Sequence, residues 1–325
     1  MSEFPDENQR KVIEHRGRPL VVVAGPGSGK TRTLVERARV ILASDSQLNL
    51  AFVTFTRTSR RDTKKKLGNV LSADEKTRDQ DFPTVSTLHG FAKSIVHKAP
   101  SAVGLKHGFC VLVPDKEQEL VLCEVIEDLA LHISSTNLRR AIASRKNTGI
   151  LAVPDGAAAT ELPRAVGRYE ELCLFYNAVD IEGLVNAATT IVEQDAVVLP
   201  ALYFHADEFQ DLNESDQRLV GMLILKGQQE IVVVGDDDQS IYGGRHAKPG
   251  GIRELFSHPD WEKVSFRVCH RLPPHVLRAS QALIRHHRGP RIDKGIMIPA
   301  DDGRRVRAFV CTTDDLPPVF GPVIM

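Results

Sequence analysis

The chain has 325 residues, of which 42% are apolar and 26% charged, and this composition predicts a substantial core divided into two or three compact units. Its 42 Lys and Arg balance its 42 Asp and Glu, so net charge gives no support to a nucleic-acid partner, whose footprint would have to be local. The lack of a membrane-length apolar run, of a secretory signal and of a C-x-x-C cysteine pair predicts a cytoplasmic protein with reduced thiols and no membrane contact.

The first element is an apolar run, PLVVVA (19–24), which leads into the glycine-rich loop AGPGSGKT (24–31). A nearly continuous apolar run is typical of a central strand in a parallel sheet that helices cover on both faces. The loop has complete G-x-x-x-x-G-K-T spacing from Gly25 to Thr31 and precedes a run with helical periodicity. Its glycines let backbone N–H groups point at phosphate oxygens, Lys30 adds positive charge, and the threonine hydroxyl can hold Mg²⁺. These residues therefore predict a nucleotide site.

Three further apolar runs predict the rest of the sheet: LNLAFVTF (48–55), ALYFHA (201–206) and IVVVG (231–235). Residues 56–66 would present a basic stripe if they are helical, and this stripe alone is typical of a solvated helix face. Residues 105–195 have the apolar spacing of helices, which predicts a helical insertion between the second and third of these strands.

Acidic and amide side chains follow two of the predicted strands. Asp207 and Glu208 come directly after the third strand, in DEFQD, and three aspartates with Gln239 follow the fourth, in VVVGDDDQSIYG. Open α/β sheets bind ligands at the carboxyl ends of their strands, where an Asp can hold Mg²⁺ and a Glu can activate water. Because an acidic pair can also cap a helix, the glycine loop alone leaves a kinase, a GTPase, an ATPase motor and a transporter subunit open.

The ordered set of motifs resembles the UvrD/Rep-like superfamily 1A DNA helicases. In the family's order the motifs are FPDENQR (Q motif), AGPGSGKTRTL (motif I), LAFVTFTRTSRRD (motif Ia), VSTLHGFA (motif Ib), DEFQDLN (motif II), GDDDQSIYG (motif III) and CHRLPPHVLRASQALI (motif IV). DIEGLV (180–185) resembles the segment that precedes motif II. The resemblance implies an α/β, P-loop NTPase fold with a RecA-like parallel sheet, helices on both faces and an all-helical inserted subdomain.

The resemblance also implies ATP and Mg²⁺ as cofactors and a role for each matching residue. The implied catalytic residues are Lys30, Glu208, Gln239 and Arg271. The implied nucleotide-binding residues are Gln9, Gly25, Pro26, Gly27, Ser28, Gly29, Lys30, Thr31, Arg32 and His270. The implied metal ligands are Thr31 and Asp207. The implied contacts to single-stranded DNA are Phe55, Arg57, His89 and Tyr242. Gln9 would read adenine, and His270 stands where an aromatic residue usually stacks on it.

Several residues have a plainer interpretation that the sequence leaves open. Phe55 can belong to the core, Tyr242 can anchor a loop, and His89 can cap or pack a helix. Asp236 can face the metal or belong to a solvated acidic turn. His205 is unusual in this strand of the family, and we predict a satisfied core histidine.

The chain departs from the family pattern in two places. Gly244 stands where the family usually has a second base-stacking aromatic, and each such platform is worth about 1–3 kcal/mol per base. Motifs V and VI are not found, so we expect an amino-terminal portion of a longer helicase rather than a naturally short relative. The predicted domains are a RecA-like domain at 1–104 and 196–275, a helical insertion at 105–195, and the start of a truncated second RecA-like domain or a C-terminal extension at 276–325.

The leading hypothesis is an ATP-dependent, 3′-to-5′ DNA helicase module that works on single-stranded DNA with a missing C-terminal motor domain or a protein partner. An alternative is a non-catalytic nucleotide- or DNA-binding regulatory module that acts with a partner, which the departures at motifs III, V and VI favour. A small-molecule kinase or nucleotide switch is disfavoured, because no motif outside the glycine loop serves a small acceptor.

Overall fold

The computed structural model describes residues 4–44, 49–73, 84–153, 161–199, 202–227, 230–241, 243, 246–287 and 289–299. Its helices are α1 (Glu7–Glu14), α2 (Lys30–Ser44), α3 (Arg57–Ala73), α4 (Leu88–Lys98), α5 (Glu117–Asp128), α6 (Ser135–Thr148), α7 (Leu162–Phe175), α8 (Ile181–Glu193), α9 (Glu214–Leu225), α10 (Gly250–Ser257) and α11 (Pro274–Arg285). Its strands are β1 (Leu20–Ala24), β2 (Asn49–Thr54), β3 (Thr84–Thr87), β4 (Cys110–Leu112), β5 (Ala178–Asp180), β6 (Leu202–Ala206), β7 (Glu230–Gly235), β8 (Glu262–Phe266), β9 (Val268–Cys269) and β10 (Ile298–Pro299).

Six of these strands form one sheet in the order β3-β2-β6-β7-β1-β8, and every neighbouring pair is parallel. The four apolar runs of the sequence are its four central strands, β2, β6, β7 and β1. The two edge strands were not predicted because they are short and partly exposed, so neither has a continuous apolar run. The α/β class with a RecA-like parallel sheet is confirmed.

Helices cover both faces of the sheet. Alternate residues of β1 enter different cores. Val21 and Val23 belong to the core that contains side chains of α4, α8, α9 and α10, whereas Leu20 and Val22 belong to the core that contains side chains of α1, α2 and α3. A strand that is buried on both faces gains hydrophobic stabilisation from every side chain, which explains its unbroken apolar sequence. The predicted two-sided covering is therefore confirmed.

The insertion has a core of its own, built from α5, α6 and α7 together with Leu112 of β4 and Ala178 of β5. It is helical apart from β4 and β5, which are three residues each and pair in parallel. Helix α8 packs instead with the core of the main sheet, through residues such as Leu184 and Ala188. The predicted division at residue 195 stays a prediction, and the packing of α8 favours an earlier limit, near Asp180.

The described C-terminal part consists of β9, α11 and β10. Strand β10 pairs in parallel with β9. Residues 300–325 of the predicted second domain or C-terminal extension lie outside the described residues. Within the described ranges, none of the helices combines the length and apolar character needed to cross a membrane.

A buried polar network joins α1, α2 and the sheet. The Arg37 guanidinium forms an ion pair with Glu230 and donates to the main-chain oxygen of Val12 at 2.9 Å. Its Nε donates to His205 Nε2 at 3.2 Å, so Nδ1 of this fully buried ring carries the proton and has no partner among the described residues. Burial, and then the charge of Arg37, lowers the pKa of His205 well below its ordinary value. His205 is thus the predicted core histidine, but it is satisfied at one nitrogen only.

Candidate functional site

The glycine loop forms a tight turn between β1 and α2. Gly27 (φ 68°) and Gly29 (φ 87°) adopt the left-handed backbone region, which residues with a Cβ rarely enter. Lys30 is buried, and its ammonium donates to the main-chain oxygen of Ala24 at 3.1 Å. All the predicted loop residues lie either in this tight turn or in the first helical turn of α2: Gly25, Pro26, Gly27, Ser28, Gly29, Lys30, Thr31 and Arg32. The loop therefore has the backbone form that a phosphate cradle requires.

The start of α2 meets the end of β6 in a hydrogen bond. Thr31 Oγ1 donates to Asp207 Oδ2 at 2.7 Å, and these two residues are 176 positions apart in the chain. Burial, and then the charge of Glu208, raises the pKa of Asp207, while the Thr31 hydrogen bond and the charge of Lys30 oppose that rise. A hydroxyl and a carboxylate are the hard oxygen ligands that Mg²⁺ prefers, so this donor pair fits the metal that the sequence predicts.

Glu208 has an unusual backbone conformation. It is not glycine, yet it adopts φ 56° and ψ 45°, a conformation that costs of order 1–3 kcal/mol and clusters at functional sites. Its N–H donates to Asp207 Oδ1 at 3.0 Å, and its carboxylate accepts from Gln210 Nε2 at 3.0 Å. The partly exposed carboxylate thus lies beside the predicted metal pair, as a residue that activates water must.

Gln239 lies at the next strand end, after β7. Its amide nitrogen donates to Asp236, a carboxylate that is only 1% exposed and that also pairs with Lys294. The acidic run 236–238 is therefore not a solvated turn, because basic side chains hold it inside the fold. Asp236 points to Gln239 and Lys294 in this structure, and the sequence-based option that it faces the metal gains no support.

The predicted residues of motif IV border the glycine loop from β9. The N–H of His270 donates to the oxygen of Gly27 at 2.8 Å, and both His270 and Arg271 are exposed. A Cβ at Gly27 would lie 2.5 Å from Arg271 Cβ, so this glycine lets the two segments approach. The backbone thus places the side chain of Arg271 next to the predicted phosphate site.

The predicted DNA contacts lie at the carboxyl ends of β2 and β3, which are neighbours in the sheet. Phe55 follows β2 and is partly buried against the core, and Arg57 is the exposed first residue of α3. His89 is the second residue of α4, where Thr87 caps the helix. Tyr242 and Gly244 lie outside the described residues.

A family model described as the UvrD/REP helicase N-terminal domain matches residues 6–259. The chain belongs to the UvrD/REP helicase family. The ATP-dependent DNA helicase PcrA of Leuconostoc citreum is 26% identical over an alignment of 325 positions, which covers 95% of this chain and 42% of that protein. The ATP-dependent DNA helicase Rep of Escherichia coli is 29% identical over an alignment of 292 positions, which covers 85% of this chain and 42% of that protein. The resemblance drawn from the motifs is confirmed, and the chain spans about 42% of the length of these relatives.

In this UvrD/REP family chain, the glutamine of the Q motif is fully buried against the glycine loop. Gln9 forms a capping box with Asp6 at the start of α1, and its Nε2 donates to the oxygen of Ser28 at 3.0 Å. Nearby, the Arg32 guanidinium lies 3.7 Å from the centre of the Phe4 ring. The recognition of adenine by Gln9 stays a prediction. The observed hydrogen bond from Gln9 to Ser28 connects α1 directly to the glycine loop.

Sequence reasoning missed Asp211, which lies one turn after Glu208. Burial, and then the charge of Glu208, raises the pKa of Asp211 to about 7, while the charge of Lys30 lowers it. Asp211 Oδ1 is buried and has no hydrogen-bond partner within the described part of the chain. The final acid of DEFQD was the only signal in the sequence, and nothing local showed that it would be buried.

Sequence reasoning also missed the partners of Asp180 in the family's DIEGLV segment. Its carboxylate caps α8 through the N–H of Gly183 at 2.7 Å and accepts from Lys146 Nζ at 2.7 Å and Tyr169 OH at 3.0 Å. Lys146 and Tyr169 belong to α6 and α7, so this carboxylate joins the insertion to the helix that packs on the sheet. The segment therefore has a structural role.

Proposed function

We propose that this chain is the ATP-binding part of a DNA-dependent ATPase that moves 3′ to 5′ along single-stranded DNA. The 2.7 Å hydrogen bond between Thr31 and Asp207 carries the proposal, because it brings the ends of β1 and β6 together beside the glycine loop. Membership in the UvrD/REP helicase family supports it. The names of the relatives PcrA and Rep, both ATP-dependent DNA helicases, support the same activity.

The loop and its neighbours would bind the triphosphate. The loop N–H groups and the start of α2 attract phosphate oxygens, and Lys30 would exchange the oxygen of Ala24 for a phosphate oxygen. Thr31 and Asp207 would hold Mg²⁺, which supplies positive charge that offsets charge on the phosphate oxygens.

Glu208 would act as the general base in hydrolysis. Its carboxylate takes a proton from the attacking water, the new P–O bond forms at the γ-phosphorus, and the bond to the leaving ADP oxygen breaks. Gln239 and Arg271 would contact the γ-phosphate, where the guanidinium stabilises charge that develops in the transition state. Positioning and charge, rather than covalent chemistry by the protein, would supply the acceleration.

The DNA contacts would lie on the same edge of the sheet. Phe55 and Tyr242 would stack on bases, Arg57 would contact the backbone and His89 would contact the strand. Because β2 pairs with β6 and the N–H of Asp207 donates to the oxygen of Val53 in β2 at 3.0 Å, a shift of β2 on DNA binding would reach Asp207 directly. A C-terminal motor domain or another protein would complete the cleft.

The test is ATP turnover by this chain with and without single-stranded DNA, with Lys30→Ala as the control. Turnover that DNA stimulates and that Lys30→Ala abolishes supports the motor. ATP binding without turnover favours the non-catalytic module, unless addition of a C-terminal motor domain restores hydrolysis. Failure of the wild-type chain to bind ATP with Mg²⁺ would contradict both functions.

A further inference from the structure

A segment that follows α11 crosses the site from the acidic run to the glycine loop. We call residues 289–299 the strap. At one end Arg291 and Lys294 pair with the acids at 236–238. At the other end the side chain of Met297 packs on the loop so closely that a Cβ at Gly25 would lie 2.1 Å from its Sδ. The matched family model ends at residue 259, before the strap begins.

Lys294 is the centre of the contact with the acidic run. Its side chain is 7% exposed, and its ammonium forms an ion pair with Asp236 and lies 2.8 Å from an oxygen of Asp237 and 2.6 Å from one of Asp238. Buried carboxylates are tolerated only when they are paired, so one ammonium that contacts three of them fixes where each must lie.

Arg291 makes a narrower contact. Its guanidinium donates to the two oxygens of Asp238 at 3.0 and 2.7 Å. Among the hydrogen bonds and ion pairs of the described residues, none joins Arg291 to Asp236. The two basic residues therefore both fasten the strap, but only Lys294 touches the carboxylate that holds Gln239.

Hydrogen bonds of Asp236 link Lys294 to two predicted catalytic residues, Gln239 and Glu208. One of its oxygens accepts from Lys294 and the other from the amide of Gln239. Its N–H donates to Gln210 Oε1 at 3.0 Å, and Gln210 Nε2 donates to Glu208 at 3.0 Å. A primary amide has two N–H donors, so the bond to Asp236 fixes the amide plane of Gln239 and leaves one donor for a ligand oxygen.

We propose that Lys294 is a positioning residue, which holds Asp236 so that the amide of Gln239 is presented to the γ-phosphate. The inference rests on the proposed function, since it requires that ATP binds beside Gln239. Lys294 itself touches neither the glycine loop nor the predicted metal pair in the described contacts. Its effect should therefore be on the discrimination of ATP from ADP rather than on nucleotide binding as such.

Lys294→Met tests the inference and Arg291→Met is its matched control, because each variant removes one positive charge from the strap. We expect the wild-type chain to bind a non-hydrolysable ATP analogue more tightly than ADP, both measured with Mg²⁺ by calorimetry. Lys294→Met should reduce this preference by about tenfold or more, the worth of a hydrogen bond to a charged group, with little change for ADP. Arg291→Met should keep the preference, and Lys294→Arg should restore most of it.

Two outcomes would overturn the inference. One is an equal loss of preference in Lys294→Met and Arg291→Met, which would show only that the strap must be fastened. The other is an additive loss when Lys294→Met is combined with Gln239→Ala, because a residue that acts through Gln239 has no effect once that amide is gone. If Lys294→Met does not fold, Lys294→Met with Asp237→Asn removes one buried charge of each sign and takes its place.

A measurement without nucleotide separates this inference from the proposed function. The side-chain amide signals of Gln239 in an NMR spectrum, assigned by their loss in Gln239→Ala, should shift in Lys294→Met and stay in place in Arg291→Met. Unchanged signals in Lys294→Met would contradict the positioning role even if ATP binds as proposed. Shifted signals in a chain that fails to bind ATP would instead contradict the proposed function, while the control of the Gln239 amide by Lys294 would stand.

Discussion

At the scale of single residues, the different surroundings of Asp207 and Glu208 suit their carboxylates to different proposed roles. Asp207 and Glu208 are neighbours in sequence, yet the first is buried against Thr31 and the second is partly exposed in a strained backbone conformation. A buried oxygen ligand suits a metal, and an exposed carboxylate suits the transfer of a proton from water. The sequence supplied both residue types, but the left-handed conformation of Glu208, which separates their proposed roles, became visible only in the structure.

Substitution of Glu208 tests the assignment of the general base. We expect Glu208→Gln to bind ATP with little change in affinity, because the amide keeps the size of the side chain and its contact with Gln210. Single-turnover hydrolysis should fall by about 10²- to 10⁴-fold, the contribution usual for a general base. An equal loss of binding and hydrolysis would contradict this role.

Substitution of Asp211 tests the effect of its burial on stability. Because the pKa of Asp211 is raised to about 7 in the folded protein, the folded state holds this proton more firmly than the unfolded chain does. Its contribution to the free energy of unfolding is therefore present below the pKa of the unfolded carboxyl and is lost as the pH rises through about 7. We expect Asp211→Asn to match the wild type near pH 4 and to be more stable at pH 8, by about 1–3 kcal/mol. Urea unfolding at both pH values measures this, and equal differences at the two would contradict it.

At the scale of elements, the sequence predicted the features that are encoded within one short segment and not those that join residues far apart in the chain. The four central strands were predictable because each is a continuous apolar run in the sequence. The order of the motifs then predicted that Lys30 and Asp207 lie at the same edge of the sheet, where the structure places them. Lys294 could not be placed in the same way, because it pairs with a carboxylate 58 residues away and has no local pattern. The pairing of Arg37 with Glu230, 193 residues apart, was invisible for the same reason.

The buried ion pair of Arg37 also fastens α1, and with it Gln9, to the helix that follows the loop. Removal of one member of a buried pair leaves an uncompensated charge, so we expect Arg37→Met to destabilise the fold by about 3–5 kcal/mol in urea unfolding. Arg39→Met is the matched control on the same helix, where the pair with Glu36 is partly exposed and should be worth about 0.5 kcal/mol or less. Losses of similar size in the two variants would contradict the importance of the buried network.

At the scale of the whole molecule, a formal net charge of zero means that any DNA grip depends on where the charges lie. Helix α3 begins directly after β2 and has an exposed basic stripe formed by Arg57, Arg60, Arg61 and Lys64. The sequence predicted this stripe, and the structure places it beside Phe55 at the carboxyl edge of the sheet. A solvated face and a DNA-tracking face look alike in isolation, so a measurement must choose between them.

The salt dependence of DNA binding makes that choice. We expect Arg57→Gln with Arg61→Gln to weaken the binding of single-stranded DNA and to reduce the slope of log K against log salt by about 0.7 for each lost phosphate contact. Arg140→Gln, at an exposed position on α6, is the control for a change in net charge and should leave the slope unchanged. Equal slopes in all variants would identify the stripe as a solvated face.

In the proposed site, the start of α2 and the end of β6, rather than the acidic run after β7, hold the metal of one bound triphosphate. The most direct test is an electron paramagnetic resonance titration of Mn²⁺ against the protein with a non-hydrolysable ATP analogue. We expect Asp207→Asn to weaken Mn²⁺ binding by at least about tenfold, the loss usual for a charged hydrogen-bonding ligand, and Asp238→Asn to leave it unchanged. Unchanged binding in Asp207→Asn together with a loss in Asp238→Asn would contradict the account.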